Sequence, residues 1–375
     1  MKTQITREFA EQRLGEYIAR GREKSASVVR NLANEAAARI DVVVPRQMMD
    51  FRITPETISL QVSDERLPNR LGFSDWSEDQ MLGTLKVPSK FLHGLMEDGT
   101  TGAQIAEQTL NNLRYRIGGE EQKNGKARRL LRVVNDEVRG WLSPTYGMFD
   151  QSEILNGFAT AIQNISGNVL FTAGVISDRR YGITAIRPQV IEVWQGEYVV
   201  IGGQLQSSDY GFGAVDLVQN VMRVVCANGA IGLSFFRKIH RAAGFGGDDN
   251  HIFEISERTR QLGAAATVSL LTDGVRGAFS DDAIDRALDA YRVSAAREIN
   301  PHAEAKTLRE HGTLTKEEAE TVPTILAMDL EILPDTEKKN SALRFGQLLA
   351  HMAGKQEGEK QINLMEAAGR YYLPQ

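Results

Sequence analysis

The sequence predicts an α+β fold, with a central, mostly antiparallel β-sheet, packed helices and a helical C-terminal portion. Three patterns support this prediction. Apolar residues recur at helical spacing between residues 6 and 40, short apolar or alternating runs crowd residues 130–205, and helical spacing returns after residue 256. Strands grouped in one region and helices grouped in others are typical of α+β proteins.

Two domain organisations fit this order of elements. Either residues 1–250 form an α+β core domain with N-terminal helices and residues 251–375 a separate helical portion, or both belong to one domain. A chain of 375 residues can bury one large core or two ordinary ones. Because no linker composition marks the boundary near residue 250, the sequence favours one domain.

The first third of the chain is predicted to run from helix to short strands and back to helix. Ser77 and Gln80 fit a capping box that opens a helix ending before Pro88. The other predicted helices are one or two within Thr6–Ile40, one from Ser89 and one within Asp98–Leu113. The predicted strands, separated by prolines, are Val42–Val44, Phe51–Ile53 and Thr57–Val62.

The centre is predicted to be β-rich and the C-terminal part helical. Between them, Ala214–Cys226 fits both spacings, with a helix slightly favoured over Asp216–Val221, and Asn228-Gly229 is predicted to turn the chain. The central strands are Leu130–Val134, Val138–Leu142, Val169–Ile176, Ile183–Ile186, Val190–Trp194 and Tyr198–Leu205, with a helix over Ser152–Ile165. The later helices are Ser256–Leu271, Asp281–Ala296, Thr315–Glu320 with a capping box to Glu318, Ser341–Ala353 and Gln361–Ala368.

Composition excludes several classes of protein. Hydrophobic residues at 42% and charged residues at 25% argue against disorder, and the net charge of -5 argues against a uniformly basic nucleic-acid binder. Cys226 is the one cysteine, which indicates a reducing compartment such as the cytoplasm. No apolar run approaches the roughly 20 residues that span a bilayer, and Met1–Arg13 lacks the apolar core of a signal peptide. No membrane partner is therefore expected.

No motif predicts an enzyme, a cofactor or a metal. The signatures of zinc hydrolases, phosphate loops and serine hydrolases are missing, and Gly211-Phe212-Gly213 is interpreted as a turn. Cys226 could pair with His240 as a nucleophile, but a cysteine in an apolar run is more often a small buried hydrophobe. A metal held by Asp248, Asp249, His240 or His251 remains a weaker alternative, because their spacing fits no ligand motif.

Two basic stretches carry the functional prediction, Arg114–Arg139 and Gln219–Gly247. Cations beside aromatic side chains suit single strands, because bases stack while guanidinium groups hold phosphates. The alternative is a solvated sheet edge whose charges prevent strand pairing. The predicted nucleic-acid-binding residues are Lys123, Lys126, Arg128, Arg129, Arg132, Arg139, Tyr146, Arg179, Arg180, Tyr181, Arg237, Lys238, His240 and Arg241.

An ordered set of motifs resembles a phage and plasmid family called domain of unknown function 932. The set comprises Leu131–Val138 with Leu142–Gly147, then Gly203–Gly213, then Arg223–Gly229, then Arg237–Arg241. Pro144-Thr145 and Gln206–Asp209 depart from the family pattern. The resemblance implies mobile-element DNA metabolism in a bacterial host cytoplasm, without an agreed activity.

The leading hypothesis is a non-enzymatic protein that binds single-stranded nucleic acid, with annealing or recombination as the expected role. Its likeness to phage single-strand annealing proteins is one of architecture, and it implies a homo-oligomer that needs no cofactor. Two alternatives come from other classes. One is a phage or plasmid protein-interaction or virion protein without nucleic-acid binding, and the other is a metal-dependent nuclease.

Overall fold

The computed structural model describes residues 5–115, 128–144, 146, 151–165, 168–224, 228–239, 257–328, 330 and 332–372. Its fold is α+β, as the sequence predicts. The described helices are α1 Arg7–Ala38, α2 Asp75–Leu85, α3 Ser89–Glu97, α4 Gly99–Tyr115, α5 Gln151–Gln163, α6 Glu257–Ala278, α7 Asp281–Ala296, α8 Pro301–Glu310, α9 Lys316–Ala327, α10 Ala342–Ala353 and α11 Gly358–Gly369. The described strands are β1 Arg39–Pro45, β2 Met49–Ile53, β3 Ile58–Val62, β4 Gly72–Phe73, β5 Arg128–Val134, β6 Glu137–Leu142, β7 Leu170–Ile176, β8 Tyr181–Ile186, β9 Ile191–Trp194, β10 Glu197–Ser207, β11 Ala214–Arg223 and β12 Asn228–Ile239.

A small four-stranded sheet forms the first core. Its strand order is β1-β5-β6-β4, with β4 parallel to β6 and the other pairs antiparallel. The β2–β3 hairpin and helices α2, α3 and α4 pack beside it. Phe51, Leu60, Leu82 and Trp141 are among the buried side chains of this core. We call these described residues, from β1 to β6, the small-sheet unit.

A larger sheet with strand order β12-β11-β10-β8-β7 forms the centre of the protein, and β9 pairs with the start of β10. Strand β10 is buried along all 11 of its residues. Val199 and Ile201 of β10 and Val221 of β11 share one hydrophobic core with helices α7 to α11. A division near residue 250 would pass through this shared core, because strands before that residue pack against helices after it.

Helix α1 connects different parts of the large-sheet core. Ala10 and Leu14 pack with Ile186 and Met222, whereas Val28 and Leu32 pack with apolar residues of α5 and α6. Between these contacts, α1 runs directly against strand β7. A β-carbon built on Gly21 would overlap the backbone carbonyl of Thr172. The close approach of helix and strand therefore requires glycine at this position.

Most predicted elements are present, with boundaries that differ by a few residues. The Thr315 and Glu318 capping box at the start of α9 is confirmed. The preference for helix over Asp216–Val221 is wrong, since Ala214–Arg223 is strand β11. It lies between β10 and β12, and a strand buried on both faces shows no alternation of apolar and polar residues.

Three local predictions also need correction. Helix α2 is capped by Ser74, which accepts from the Ser77 backbone, while the Ser77 hydroxyl donates to the Val138 carbonyl of β6. Asn228 pairs with Arg223 at the start of β12, so the chain has reversed before the Asn228-Gly229 pair. Helix α8 was not anticipated, although Asn300 caps it and Pro301 occupies its first turn.

Replacing Gly21 by alanine should destabilise the protein by about 1–3 kcal/mol, because the added methyl group meets a backbone carbonyl that cannot move aside freely. Gly15→Ala on the same helix is the matched control, since a β-carbon there has nothing within 4 Å. That control should stabilise by up to about 1 kcal/mol through helix propensity. Urea unfolding measures both changes, and equal effects of the two substitutions would contradict the close contact.

Candidate nucleic-acid interface

The structure separates the predicted binding residues into distinct groups. Lys123, Lys126, His240 and Arg241 lie outside the described residues, as do Cys226, Asp248, Asp249 and His251. Arg237 and Lys238 are part of strand β12, where Arg237 is exposed and lies 3.9 Å from Asp216. The remaining eight lie on or beside β5, β6 and the turn that joins β7 to β8. They are Arg128, Arg129, Arg132, Arg139, Tyr146, Arg179, Arg180 and Tyr181.

Arg132 is a buried structural residue, which corrects its prediction as a phosphate contact. Only 1% of Arg132 is exposed, and its guanidinium donates to both Asp41 oxygens at 2.9 and 2.8 Å. It also donates to the Asp209 backbone carbonyl at 2.7 Å, and Arg39 donates to the Asp209 carboxylate at 3.2 Å. Burial alone would lower the pKa of Arg132, but these acidic partners raise it, so the guanidinium stays charged.

Arg180 and Tyr181 also differ from their predicted role. Tyr181 is 1% exposed and belongs to the core of the large sheet. Arg180 donates to Glu359, Asn363 and Glu366, with distances of 2.7–2.9 Å for the shortest bond to each. These bonds tie the β7–β8 turn to helix α11, so Arg180 is a connector between two elements rather than an exposed cation.

The loop between β10 and β11, residues 208–213, joins the two sheets. The Tyr210 hydroxyl donates to Glu35 of α1 at 2.6 Å, and the Tyr210 carbonyl accepts from Trp76 Nε1 and Gln80 Nε2, each at 2.8 Å. Gly211 and Gly213 have φ of 79° and 76°, which confirms the interpretation of Gly211-Phe212-Gly213 as a turn. Burial and the Glu35 carboxylate raise the pKa of Tyr210, so its hydroxyl remains a donor at neutral pH.

Two of the predicted arginines lie on an aromatic surface beside this loop. The Arg179 guanidinium lies 5.1 Å from the centre of the Trp76 ring and 5.8 Å from that of Phe212. The two rings meet edge to face, with centres 5.0 Å apart. Arg139 lies 5.0 Å from the Tyr210 ring. We call Trp76, Arg139, Arg179 and Phe212 the aromatic–arginine surface.

Arg179 keeps its charge accessible on this surface. Its side chain is 31% exposed, and its ion pairs with Asp79 and Asp178 are long, at 3.7 and 4.0 Å. Tyr146 is half-buried, and its ring lies close to Gly211. Burial and the Asp209 carboxylate raise the pKa of Tyr146. The surface therefore offers stacking rings and an accessible guanidinium, with Tyr146 as part of the wall behind it.

A second basic region lies where β1 and β5 meet near the end of α4. Arg128 is exposed and pairs with Pro45, and the half-buried Arg129 pairs with Val44. Arg46 follows directly on β1, and Arg114 of α4 forms an ion pair with Asp50 at 2.5 Å. We call Arg46, Arg114, Arg128 and Arg129 the basic corner; Arg46 and Arg114 are buried, and Arg128 is exposed.

A concave space of about 760 Å³ lies at the other end of the β2–β3 hairpin. Its walls come from the hairpin turn, β4, α2 and α3, and His93 Nε2 lies 2.9 Å from Glu78 within it. Burial raises the pKa of Glu78, an effect that the nearby His93 opposes. The ionisable residues that line this acidic groove are Glu56, Arg70, Asp75, Glu78, His93 and Glu97.

Within the described part of the chain, no group of three or more histidine, cysteine, aspartate or glutamate side chains is placed to hold a metal ion. No helix among the same residues is long and apolar enough to cross a membrane.

The chain matches no protein-family model, no curated protein and no solved structure. The resemblance to the family called domain of unknown function 932 stays a prediction.

Sequence reasoning found Arg139 and Arg179 but missed the rings beside them. Trp76 stands among acidic residues at the start of α2, far along the chain from Arg179. Phe212 lies between two glycines that indicate only a turn. Their proximity depends on the contacts of the β10–β11 loop with α2, which no local pattern encodes.

Asp209→Asn should destabilise the protein by about 3 kcal/mol, because it removes the buried carboxylate that faces Arg39 and Arg132. Asp289→Asn is the matched control, since Asp289 forms an exposed ion pair with Arg292 and such pairs contribute about 0–1 kcal/mol. Urea unfolding of both variants measures the difference. An Asp209→Asn protein as stable as the control would show that the buried network does not hold the two sheets together.

Proposed function

We propose that the protein binds single-stranded nucleic acid at the aromatic–arginine surface, as a DNA-metabolism protein of a phage or plasmid in the host cytoplasm. The observation that carries this proposal is the position of Arg179, which contacts two aromatic rings while part of its side chain remains exposed. A base can stack on one of the two partly exposed rings while the guanidinium holds the adjacent phosphate.

The chemistry of this surface suits single strands better than duplexes. In a duplex the faces of the bases are already stacked, so aromatic side chains have little to contact. A strand held by stacking leaves its pairing edges accessible to a complementary strand, which is what annealing requires. The resemblance to a phage and plasmid family also supports the proposal, because mobile-element DNA metabolism uses proteins that bind single strands.

Arg128 is a further exposed cation, on strand β5 of the small sheet. It lies four residues from Arg132 on β5, and residues an even number apart on a strand share a face. The two positions are separated by about 14 Å. Arg132 itself is covered, so Arg128 marks the accessible end of this face.

The deciding measurement is fluorescence anisotropy of a labelled single-stranded oligonucleotide, with a duplex control and a salt titration. We expect preference for the single strand and a log–log salt slope of about 0.7 for each phosphate contacted. Absence of binding at low salt by the folded protein would overturn the proposal. The protein-interaction hypothesis would then be favoured.

Substitutions on the surface should separate stacking from charge. Trp76→Leu should weaken binding by about 1–3 kcal/mol, which is typical for loss of one stacked base. Arg179→Gln should also weaken oligonucleotide binding, more at low salt than at high salt. It should reduce the slope of log affinity against log salt concentration by about 0.7. Arg292→Gln is the matched control, because Arg292 lies on α7 in an exposed ion pair. Equal effects at Arg179 and Arg292 would mean that binding is not located on this surface.

A further inference from the structure

The acidic groove opens where strands β3 and β4 separate. Leu60 of β3 and Leu71, just before β4, exchange two backbone hydrogen bonds, each 2.8 Å long. Beyond this bridge β4 pairs with β6 instead, and Ile58 and Phe73, each two residues from the bridge, line the groove. The groove is therefore the gap between two strands that are hydrogen-bonded to each other only at the Leu60–Leu71 bridge.

Unpaired backbone groups of both strands face this gap. Residues two apart on a strand direct their N–H and C=O groups to the same side, so Ile58 directs them as Leu60 does. The backbone nitrogens of Gly72 and Ser74 donate towards β6, so Phe73 between them directs its own groups towards β3. Within the described part of the chain, these groups of Ile58 and Phe73 have no hydrogen-bond partner. An open strand edge of this kind can pair with an extended peptide.

The walls of the groove carry a surplus of negative charge. Glu78 pairs with His93 at 2.9 Å, and Arg70 Nε donates to the hydroxyl of the buried Ser59, also at 2.9 Å. Three further carboxylates have no basic side chain within 4 Å among the described residues. They come from the hairpin turn, α2 and α3, and are Glu56, Asp75 and Glu97. Negative charge is thus spread around the groove.

The floor of the groove suits the stem of a long cationic side chain. Ile58 and Met96 are buried there, and Phe73 is partly exposed. Arginine and lysine side chains lay their methylene groups on apolar surface while their charged ends contact polar groups. An apolar floor with carboxylates around it is complementary to such side chains.

This combination of features favours one class of occupant. No three carboxylates among the described residues are placed to hold a metal ion, and a phosphate backbone would be repelled. A polyamine matches the charge, but it has no carbonyl to accept from the backbone N–H groups at the strand edges. An extended basic peptide supplies carbonyls, N–H groups and cationic side chains together.

We propose that the acidic groove binds an extended basic segment of a partner protein. The segment pairs with the open strand edges at Ile58 and Phe73, and its arginine or lysine side chains contact Glu56, Asp75 and Glu97. The space of about 760 Å³ is within the roughly 300–1,000 Å³ of typical ligand sites. The inference does not rest on nucleic-acid binding, because the groove and the aromatic–arginine surface share no residue.

Fluorescence anisotropy of a labelled peptide tests this site on the full chain. The probe is a capped peptide of alternating arginine and valine, and we expect saturable binding at about 0.1 M salt. Glu56→Gln with Glu97→Gln should weaken it about tenfold, through loss of two partly exposed ion pairs. Glu317→Gln with Glu320→Gln is the control of equal charge change, on exposed positions of α9, and should bind the peptide like the unsubstituted protein.

Two competitors separate strand pairing from charge alone. The same peptide N-methylated at every second residue keeps its side chains but loses donors along one edge, so it should bind at least about tenfold more weakly. Spermine should displace the labelled peptide only weakly. Absence of peptide binding, equal binding by the two double variants, or spermine and the N-methylated peptide competing as well as the parent peptide would each overturn the proposal.

The two proposals can fail separately. Glu56→Gln with Glu97→Gln should leave oligonucleotide binding unchanged, and Trp76→Leu should leave peptide binding unchanged. Loss of oligonucleotide binding in the groove variant would overturn the independence of the two sites.

Discussion

The arrangement of the two sheets depends on the buried ion network around Arg132. This guanidinium reaches Asp41 on β1 and the Asp209 carbonyl in the β10–β11 loop, and Arg39 contacts the Asp209 carboxylate. Removing charges from water is expensive, and the attraction offsets that penalty only when the geometry satisfies each group. The network therefore favours one relative position of the two sheets. Nonpolar packing alone would discriminate less between that position and neighbouring ones.

Other arginines connect elements in the same way. Arg223 contacts Glu197 at 2.8 Å beside the Tyr291 hydroxyl and donates to the Ile332 carbonyl, which joins β11 to the C-terminal region. Arg344 of α10 is 1% exposed and donates to the carbonyls of Leu326 and Pro334. A basic stretch in this sequence is thus a mixture of structural and exposed cations. Burial, and not local charge density, separates the two kinds.

The sequence predicted the fold class and most elements because helical caps and apolar spacing are local signals. Thr315 with Glu318 and the helix over Asp281–Ala296 are examples. It failed at β11, where burial on both faces removes the alternation that identifies strands. The candidate site was predicted only in part. The basic residues near aromatic ones in the sequence indicated Arg139 and Arg179, but the aromatic rings that these arginines contact come from distant segments of the chain. Arg132 was predicted to contact phosphate but is buried. Its partners Asp41 and Asp209 lie far from it along the chain, so no local pattern shows that they cover it.

The aromatic–arginine surface is held by the same loop that Asp209 anchors. Three contacts position Trp76. Its indole nitrogen donates to the Tyr210 carbonyl, its backbone nitrogen donates to Asp178, and its ring meets the Phe212 ring edge to face. Side chains that are already ordered lose little freedom when a ligand binds, so more of the contact energy appears as affinity. The position of Trp76 therefore depends on the loop that contains Asp209. Under the proposed function, a change at Asp209 would alter stability and binding together, whereas a change at the partly exposed Arg179 would alter mainly binding.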